Sequence, residues 1–323
     1  MAILATEKIL TLDYWKPASQ LKIGDYVFDR NGKIVRVKMV QQFRSEECYE
    51  VTLNDYLSIR GDQNLGFAME TSKYRIRACE YKQTRKFKRP LKPFTVSDLL
   101  DQPLKNHRNR LLYSIPTTAP IELPYQDLPV PPFVFGFWLF NEKYDGKMKI
   151  PKDVPDTPLE KFKDHGYKLI GRREFSVHPS VRSQLSPNVP SKIPENYLLA
   201  APEQRWELLR GILHAKPRQY SVSRDTFRFS SGHFGTVQQM QYLVESLGHK
   251  TKVTYSKSNE NYTLSFRSRT QLVSNQASPP LKVHQSRRYI TNIQPIPAQL
   301  CVHIETTAKD NTLLVGEGFI ACR

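Results

Sequence analysis

Residues 26–37 read YVFDRNGKIVRV, in which two short runs of β-branched and aromatic residues flank the dipeptide Asn31-Gly32. Asn-Gly is a preferred centre for a two-residue β-hairpin, because both positions of that turn require a positive φ. The stretch therefore predicts a strand, a tight turn and a second strand. It indicates a domain that begins with antiparallel β-structure.

Runs of the same kind continue outward from this hairpin and recur at the far end of the chain. They lie at residues 9–11, 49–53, 300–304, 312–315 and 319–320. The middle of the chain differs, because apolar residues there recur at helical spacing. The predicted helices are 131–140, 202–214 and 236–247, and the predicted strands are 219–222, 226–229, 252–255 and 262–267.

Length and proline distribution divide the chain further. A chain of 323 residues suggests two domains, and most of its 23 prolines are clustered where regular structure is interrupted. We predict one β domain built from residues 1–95 and 282–323. An α/β domain would be inserted at residues 120–275, with linkers at 96–119 and 276–281.

Composition narrows the class of partner. The chain has 48 Lys and Arg against 31 Asp and Glu, a net charge of +17, which favours nucleic acid over a membrane. No apolar run approaches the roughly 18 residues needed to span a bilayer. Four cysteines without a CxxC pair argue against a zinc site and against a disulfide scaffold. We therefore expect a monomer in the reducing cytoplasm, with no bound metal.

The order of these blocks resembles an intein, a protein-splicing Hint domain interrupted by a LAGLIDADG homing endonuclease. The segments that carry the resemblance are 2–11, 21–27 with the turn at 31–32, 303–305, 314–320, and the helical segments 134–139 and 209–213. Gly136 and Gly211 would let these two helices approach closely. The resemblance implies an all-β Hint domain formed by both chain ends, with an inserted α/β (LAGLIDADG-like) domain.

Inteins splice in cis, by an N-terminal acyl shift followed by cyclisation of a C-terminal Asn. By resemblance, Ala2 stands where the family has its first nucleophile, and alanine cannot attack a carbonyl group. Gly61 and Asn64 stand at the Thr and the His of a Thr-x-x-His motif that polarises the scissile amide. A plain strand-to-turn transition is the alternative for these two residues.

The remaining splicing positions lie near the end of the chain. His303 matches an Asp or Cys that assists several steps in the family, and it would act there as an acid or base; an ordinary strand histidine is the alternative. The chain ends Ala321-Cys322-Arg323, so Arg323 stands at the penultimate His and the Asn is absent. We expect Cys322 to be a buried strand cysteine. We therefore expect no splicing of flanking host segments. The differences at Ala2, Gly61, Asn64 and Arg323 together favour natural decay or reuse over a designed block.

The endonuclease part is also altered. LAGLIDADG enzymes hold divalent metal with one acid near the end of each packed helix, and the matching residues here are Asn141 and Lys216. We expect no DNA cleavage, and a magnesium site only if cleavage survives. An active nuclease that uses the non-standard acids Glu142, Asp145 or Asp225 is an alternative.

Binding of double-stranded DNA is a separate expectation. Residues 73–92 carry nine Lys or Arg against one acid, interleaved with aromatic residues, which suits contact with phosphates. The candidate residues are Lys73, Arg75, Arg77, Lys82, Arg85, Lys86, Lys88 and Arg89. A solvated basic face is the alternative. A free-standing DNA-binding protein derived from an intein is the second hypothesis for the whole chain.

Overall fold

The computed structural model describes residues 1–72, 91–139, 147–150, 157–176, 192–215, 220–221, 226–268, 272 and 287–323. The chain forms two compact units, one from Met1–Ile121 with Ser286–Arg323 and the other from Glu122–Gln285. We call them the terminal unit and the central unit. No helix in the described part of the chain is long and apolar enough to cross a membrane.

Strands dominate the elements of the described residues. The strands are β1 (Ala2–Leu4), β2 (Lys8–Leu10), β3 (Trp15–Pro17), β4 (Tyr26–Phe28), β5 (Ile34–Ser45), β6 (Cys48–Leu53), β7 (Ser58–Asp62), β8 (Gly66–Thr71), β9 (Lys92–Thr95), β10 (Tyr113–Pro116), β11 (Lys147–Lys149), β12 (Leu169–Gly171), β13 (Glu174–Ser176), β14 (Tyr220–Ser221), β15 (Thr226–Ser231), β16 (Thr251–Ser256), β17 (Asn261–Phe266), β18 (Arg287–Ile296), β19 (Gln299–Thr306), β20 (Leu313–Val315) and β21 (Ile320–Cys322). The helices are α1 (Val96–Leu100), α2 (Pro132–Leu139), α3 (Thr157–Asp164), α4 (Glu195–Leu198), α5 (Pro202–Ala215) and α6 (Phe234–Ser246), with a 3₁₀ turn at Ala18–Gln20.

The terminal unit is built on one antiparallel sheet that draws strands from both ends of the chain. Its strand order is β20-β21-β8-β10-β18-β6-β7-β1-β19-β5-β4, and β9 pairs with β8 outside this path. The two outermost strands of the path, β20 and β4, contact each other, so the sheet curls back on itself. Its inner face encloses a hydrophobic core that includes Ile3, Val51, Phe67 and Val302.

A hairpin forms at residues 26–37 as the sequence predicts, but its turn is longer than the two-residue type, because Phe28 pairs with Ile34 and Asn31 does not have the positive φ of that turn. Val27 on β4 pairs with Val35 on β5, and Gly32 has a φ of +75° in the turn between them. The carboxylate of Asp29 accepts hydrogen bonds from the backbone N–H groups of Asn31, at 2.8 Å, and Lys33, at 2.9 Å. An Asp that binds the backbone ahead of it in this way fixes the turn locally.

Residues 96–119 are part of the terminal unit instead of the expected linker. Strand β10 lies inside the sheet, where Ser114 pairs with Glu70 on β8 and with Tyr289 on β18. A proline lacks the N–H that a sheet needs, but Pro116 is the last residue of β10 and interrupts no central pairing. The second expected linker, 276–281, lies outside the described residues.

The central unit combines helices with antiparallel strands. From α5 onward the order is helix, two strands, helix and two strands, as the sequence predicts, and β14-β15-β17-β16 form one sheet. A second sheet, β11-β13-β12, contributes Phe175, whose ring lies 5.0 Å from the ring of Phe162 on α3. The predicted helices 131–140, 202–214 and 236–247 correspond to α2, α5 and α6.

Two glycines face each other where α2 packs on α5. A Cβ atom at Gly211 would meet the carbonyl oxygen of Phe133 and would lie 2.8 Å from the backbone nitrogen of Phe137. A Cβ atom at Gly136 would meet the carbonyl oxygen of Leu208. These neighbours are backbone atoms, so any side chain at either position forces the helices apart.

We expect Gly211→Ala to lower the free energy of unfolding by about 1–3 kcal/mol, because the added methyl group overpacks a backbone contact. Gly235→Ala is the matched control, since a Cβ atom at Gly235 in α6 has no neighbour within 4 Å. Urea unfolding of both variants measures the difference. Equal stability of the two variants would contradict the close helix contact.

Candidate functional site

Three of the residues matched to splicing positions, Ala2, Gly61 and His303, are brought together at strand β1. This strand lies between β7 and β19, where Ala2 pairs with His303 and Ile3 pairs with both Val302 and Gly61. The N–H of Ile304 donates to the carbonyl oxygen of Met1 at 2.9 Å. The β1 site, as we call it, comprises Ala2, Gly61 and His303, with Asp62 and Asn64 in the turn after β7.

Gly61 is required by the close approach of β1. A Cβ atom at Gly61 would meet the carbonyl oxygen of Ala2 and would lie 3.1 Å from the Cβ atom of Leu65. Position 61 therefore has no room for a side chain in this conformation. Its role is steric, and it offers no hydroxyl group to the site.

Asn64 is engaged by its neighbour Asp62. The backbone N–H of Asn64 donates to Asp62 Oδ1 at 2.8 Å, and its side-chain amide donates to Asp62 Oδ2 at 2.9 Å. Asp62 is buried, whereas Asn64 is exposed. The amide of Asn64 thus fixes the turn after β7, and an amide cannot serve as a base.

His303 contributes an imidazole side chain to the β1 site. It lies on β19 between Ala2 of β1 and Gln41 of β5, and its side chain is part-buried. The Nε2 atom lies 3.5 Å from Glu305 Oε1, so a carboxylate is near enough to orient the ring. The pairing of β19 with β1 therefore places an imidazole opposite residue 2.

The last residues of the chain lie in the same sheet. Cys322 is buried on β21 and pairs with Phe67 of β8, and Arg323 exchanges two backbone hydrogen bonds with Gly66, at 2.7 and 3.1 Å. Burial raises the pKa of Cys322 well above its ordinary value, and the Glu7 carboxylate adds to this. A thiol held protonated in this way is a poor nucleophile.

Sequence reasoning missed two charged side chains here. Glu7 is buried, and its Oε1 accepts a hydrogen bond from Arg60 Nε at 2.8 Å. Burial raises the pKa of Glu7, while the ion pair with Arg60 opposes that rise. Residues 7 and 60 are far apart in the sequence, and no local pattern signals that they pair.

We expect Arg60→Met to lower the free energy of unfolding at pH 7 by about 2 kcal/mol, because it leaves the buried Glu7 charge without its partner. The loss should shrink as the pH falls, since protonation of Glu7 removes that charge. Thermal unfolding across a pH series measures both effects.

Lys8→Met is the matched control for this ion pair. Lys8 and Glu317 form an exposed pair with side chains 58% and 62% exposed, whereas Glu7 is 7% exposed. Exposed pairs contribute little to stability, so this variant should unfold nearly as the unchanged chain does. A loss for Arg60→Met that is independent of pH would contradict the assignment to Glu7.

The candidate endonuclease and DNA-binding residues lie outside the described residues. They are Asn141, Lys216, Lys73, Arg75, Arg77, Lys82, Arg85, Lys86, Lys88 and Arg89. Across the described ranges no group of three His, Cys, Asp or Glu side chains is placed to hold a metal ion. The metal and DNA predictions therefore stay predictions.

Among the described residues, the central unit has a groove lined by lysine and arginine side chains. An open groove of about 350 Å³ is lined by Thr226, Lys250, Thr251, Lys252, Ser265, Phe266 and Arg267. Ser265 on β17 pairs with Arg228 of β15 on one side and with Lys252 of β16 on the other. Strands β15, β16 and β17 carry no acidic residue, and the charged residues of the groove lining are Lys250, Lys252 and Arg267. The hydroxyl group of Thr251 donates a hydrogen bond to the carboxylate of the buried Glu245 on α6.

Comparison with known proteins gives partial likenesses. No protein-family model matches the chain, and no curated protein matches it. Among solved structures, the MchDnaB-1 intein is similar, with 22% identity and a TM-score of 0.20 over 21% of this chain and 53% of that chain. The gp41-1 intein is similar with 18% identity and a TM-score of 0.24, over 35% of this chain and 74% of that chain.

A bacterial intein-like domain from Clostridium thermocellum is similar to this chain to about the same degree. It has 16% identity and a TM-score of 0.23, over 35% of this chain and 71% of that chain. The chain spans about half the length of the MchDnaB-1 intein that it matches. TM-scores this low do not define the fold.

Proposed function

We propose that the terminal unit is an intein-like Hint unit that does not splice as it stands. The observation that carries this proposal is the position of β1, which sets Ala2 opposite His303 in the sheet that also contains Cys322. In such a unit the partners would be the host segments that flank the chain. The proposal rests on the arrangement of these residues and on their resemblance to the family's motifs.

The chemistry of the β1 site explains the inactivity that we propose. An N-terminal acyl shift needs a hydroxyl or thiol group at residue 2, and the methyl group of Ala2 offers no electron pair. Gly61 has no side chain, and the amide of Asn64 is bound to Asp62. His303 is then the remaining proton-transfer group opposite residue 2, with no nucleophile to activate.

A fusion experiment tests this proposal. With a reporter protein joined directly before residue 2, the unchanged chain should stay intact in dithiothreitol. Ala2→Cys with Asn64→His should release the reporter, because the thiol can form a thioester that dithiothreitol cleaves. Gly61 is left unchanged, since a Cβ atom there would meet the carbonyl oxygen of Ala2. Electrophoresis and mass spectrometry of the products give the readout.

Ala5→Cys in the same fusion is the control. It supplies a thiol near β1 but away from the junction, so it should leave the fusion intact. Cleavage of the unchanged chain would contradict the proposed inactivity. A folded Ala2→Cys, Asn64→His variant that releases no reporter would contradict the intein-like assignment.

We propose as a second function that the central unit binds double-stranded DNA through its basic groove. Lys250, Lys252 and Arg267 line this groove together with hydroxyl groups, a combination that suits contact with phosphates. Arg267 Nε donates to Thr226 Oγ1 at 3.2 Å, which holds one cation at the groove. Loss of DNA cleavage, and the identity of this unit as a LAGLIDADG-like endonuclease, are part of this proposal.

We expect Lys252→Ala and Arg267→Ala each to weaken duplex binding severalfold. Each should also reduce the slope of log affinity against log salt by about 1, because one phosphate contact is lost. Fluorescence anisotropy across a salt series measures both quantities. Lys163→Ala, at an exposed position of α3, is the control that should bind as the unchanged chain does. Binding that does not vary with salt would contradict the proposal.

A further inference from the structure

Two buried thiols meet in the terminal unit. The Sγ atoms of Cys48 and Cys301 lie 3.9 Å apart, although 253 positions separate the two residues in the sequence. Both side chains are buried. Neither residue belongs to the β1 site, and no role proposed above uses them.

The strand pairing explains why these thiols are neighbours. The hairpin β5–β6 pairs with the hairpin β18–β19, since β5 pairs with β19 and β6 pairs with β18. Cys48 begins β6 opposite Ile296, and Cys301 lies near the start of β19 opposite Phe43. Both thiols therefore lie near the turns of their hairpins, where the two hairpins meet.

We propose that Cys48 and Cys301 form a reversible disulfide that locks the two hairpins together. A small-molecule disulfide is the oxidant: the two thiols lose two protons and two electrons, one S–S bond forms, and the reagent becomes two thiols. A disulfide bond is about 2.0 Å long, so the sulfur atoms must approach by about 2 Å.

Burial of the two thiols should make formation and reduction of this disulfide slow. Burial raises the pKa of Cys301 to about 12, and the nearby Cys48 adds to the rise, so Cys301 is almost entirely protonated at neutral pH. Exchange requires the thiolate and access for the reagent, so it must wait for the hairpin ends to open. Formation should accelerate as the pH rises. Once formed, the bond is shielded from reductants by the same burial.

The bond would also join distant parts of the chain. It would connect β6 to β19, and β19 pairs with β1, which carries Ala2. A cross-link between residues so far apart removes conformational freedom from the unfolded chain. The oxidised protein should therefore unfold at a higher temperature than the reduced protein.

The full chain tests the proposal directly. It is incubated at pH 8.5 with oxidised glutathione in mild urea that leaves it folded, then digested without reduction. We expect mass spectrometry to find a peptide that links Cys48 to Cys301, at two hydrogens below the sum of its parts. The midpoint of thermal unfolding should rise by several degrees, and dithiothreitol should reverse the rise.

Two variants separate this bond from other thiol chemistry. Cys48→Ala should lose the difference between oxidised and reduced midpoints, whereas Cys322→Ala, at another buried thiol, should keep it. Peptide mapping of the unchanged chain decides the result even if a variant fails to fold. Recovery of only glutathione adducts, of a bond to Cys79 or Cys322, or of free thiols at Cys48 and Cys301 would overturn the proposal.

Discussion

Strand β1 is held between two strands that come from distant parts of the chain. The N–H of Ala5 donates to the carbonyl oxygen of Leu300 at 2.9 Å, and the N–H of Ile304 donates to that of Met1 at the same distance. The three residues of β1 are almost fully buried, and Ile3 lies in the core that both chain ends share. A buried strand cannot leave its backbone groups without partners, so β1 fixes the positions of its neighbours β7 and β19.

This pairing accounts for the chemistry around residue 2. Because β1 approaches β7 so closely, position 61 has to be glycine, and the turn that follows is fixed by Asp62. Because β1 also pairs with β19, His303 lies opposite Ala2. The site thus keeps a fixed backbone and an imidazole around a residue that has no reactive group.

Short-range patterns in the sequence predicted the β4–β5 hairpin and three of the helices. The Asn31-Gly32 turn and the helices α2, α5 and α6 follow from turn chemistry and apolar spacing, which act over a few residues. Pairings across the chain have no such signal. Strand β10 was expected to be part of a linker, because its terminal proline resembles an interruption and its partners lie far away in the sequence. Its place inside the sheet comes from tertiary pairing alone.

Some of the candidate site residues could be predicted from the sequence, and others could not. Resemblance to the family's motifs singled out Ala2, Gly61 and His303, and the structure places these three residues on adjacent strands. The Glu7–Arg60 ion pair and the Cys48–Cys301 thiol pair could not be read from the sequence, since each depends on register between strands. The steric role of Gly61 depends on how closely β1 approaches it.

Amide hydrogen exchange of a chain that lacks residues 122–285, with a short flexible linker in their place, tests most directly whether both ends form one self-sufficient sheet. The terminal unit contains its own core, so the account predicts that the amides of Ala5 and Ile304 stay protected together, up to global unfolding of the shortened chain. Exchange of both amides at the rate of an unfolded chain, while the β4–β5 hairpin remains protected, would contradict it.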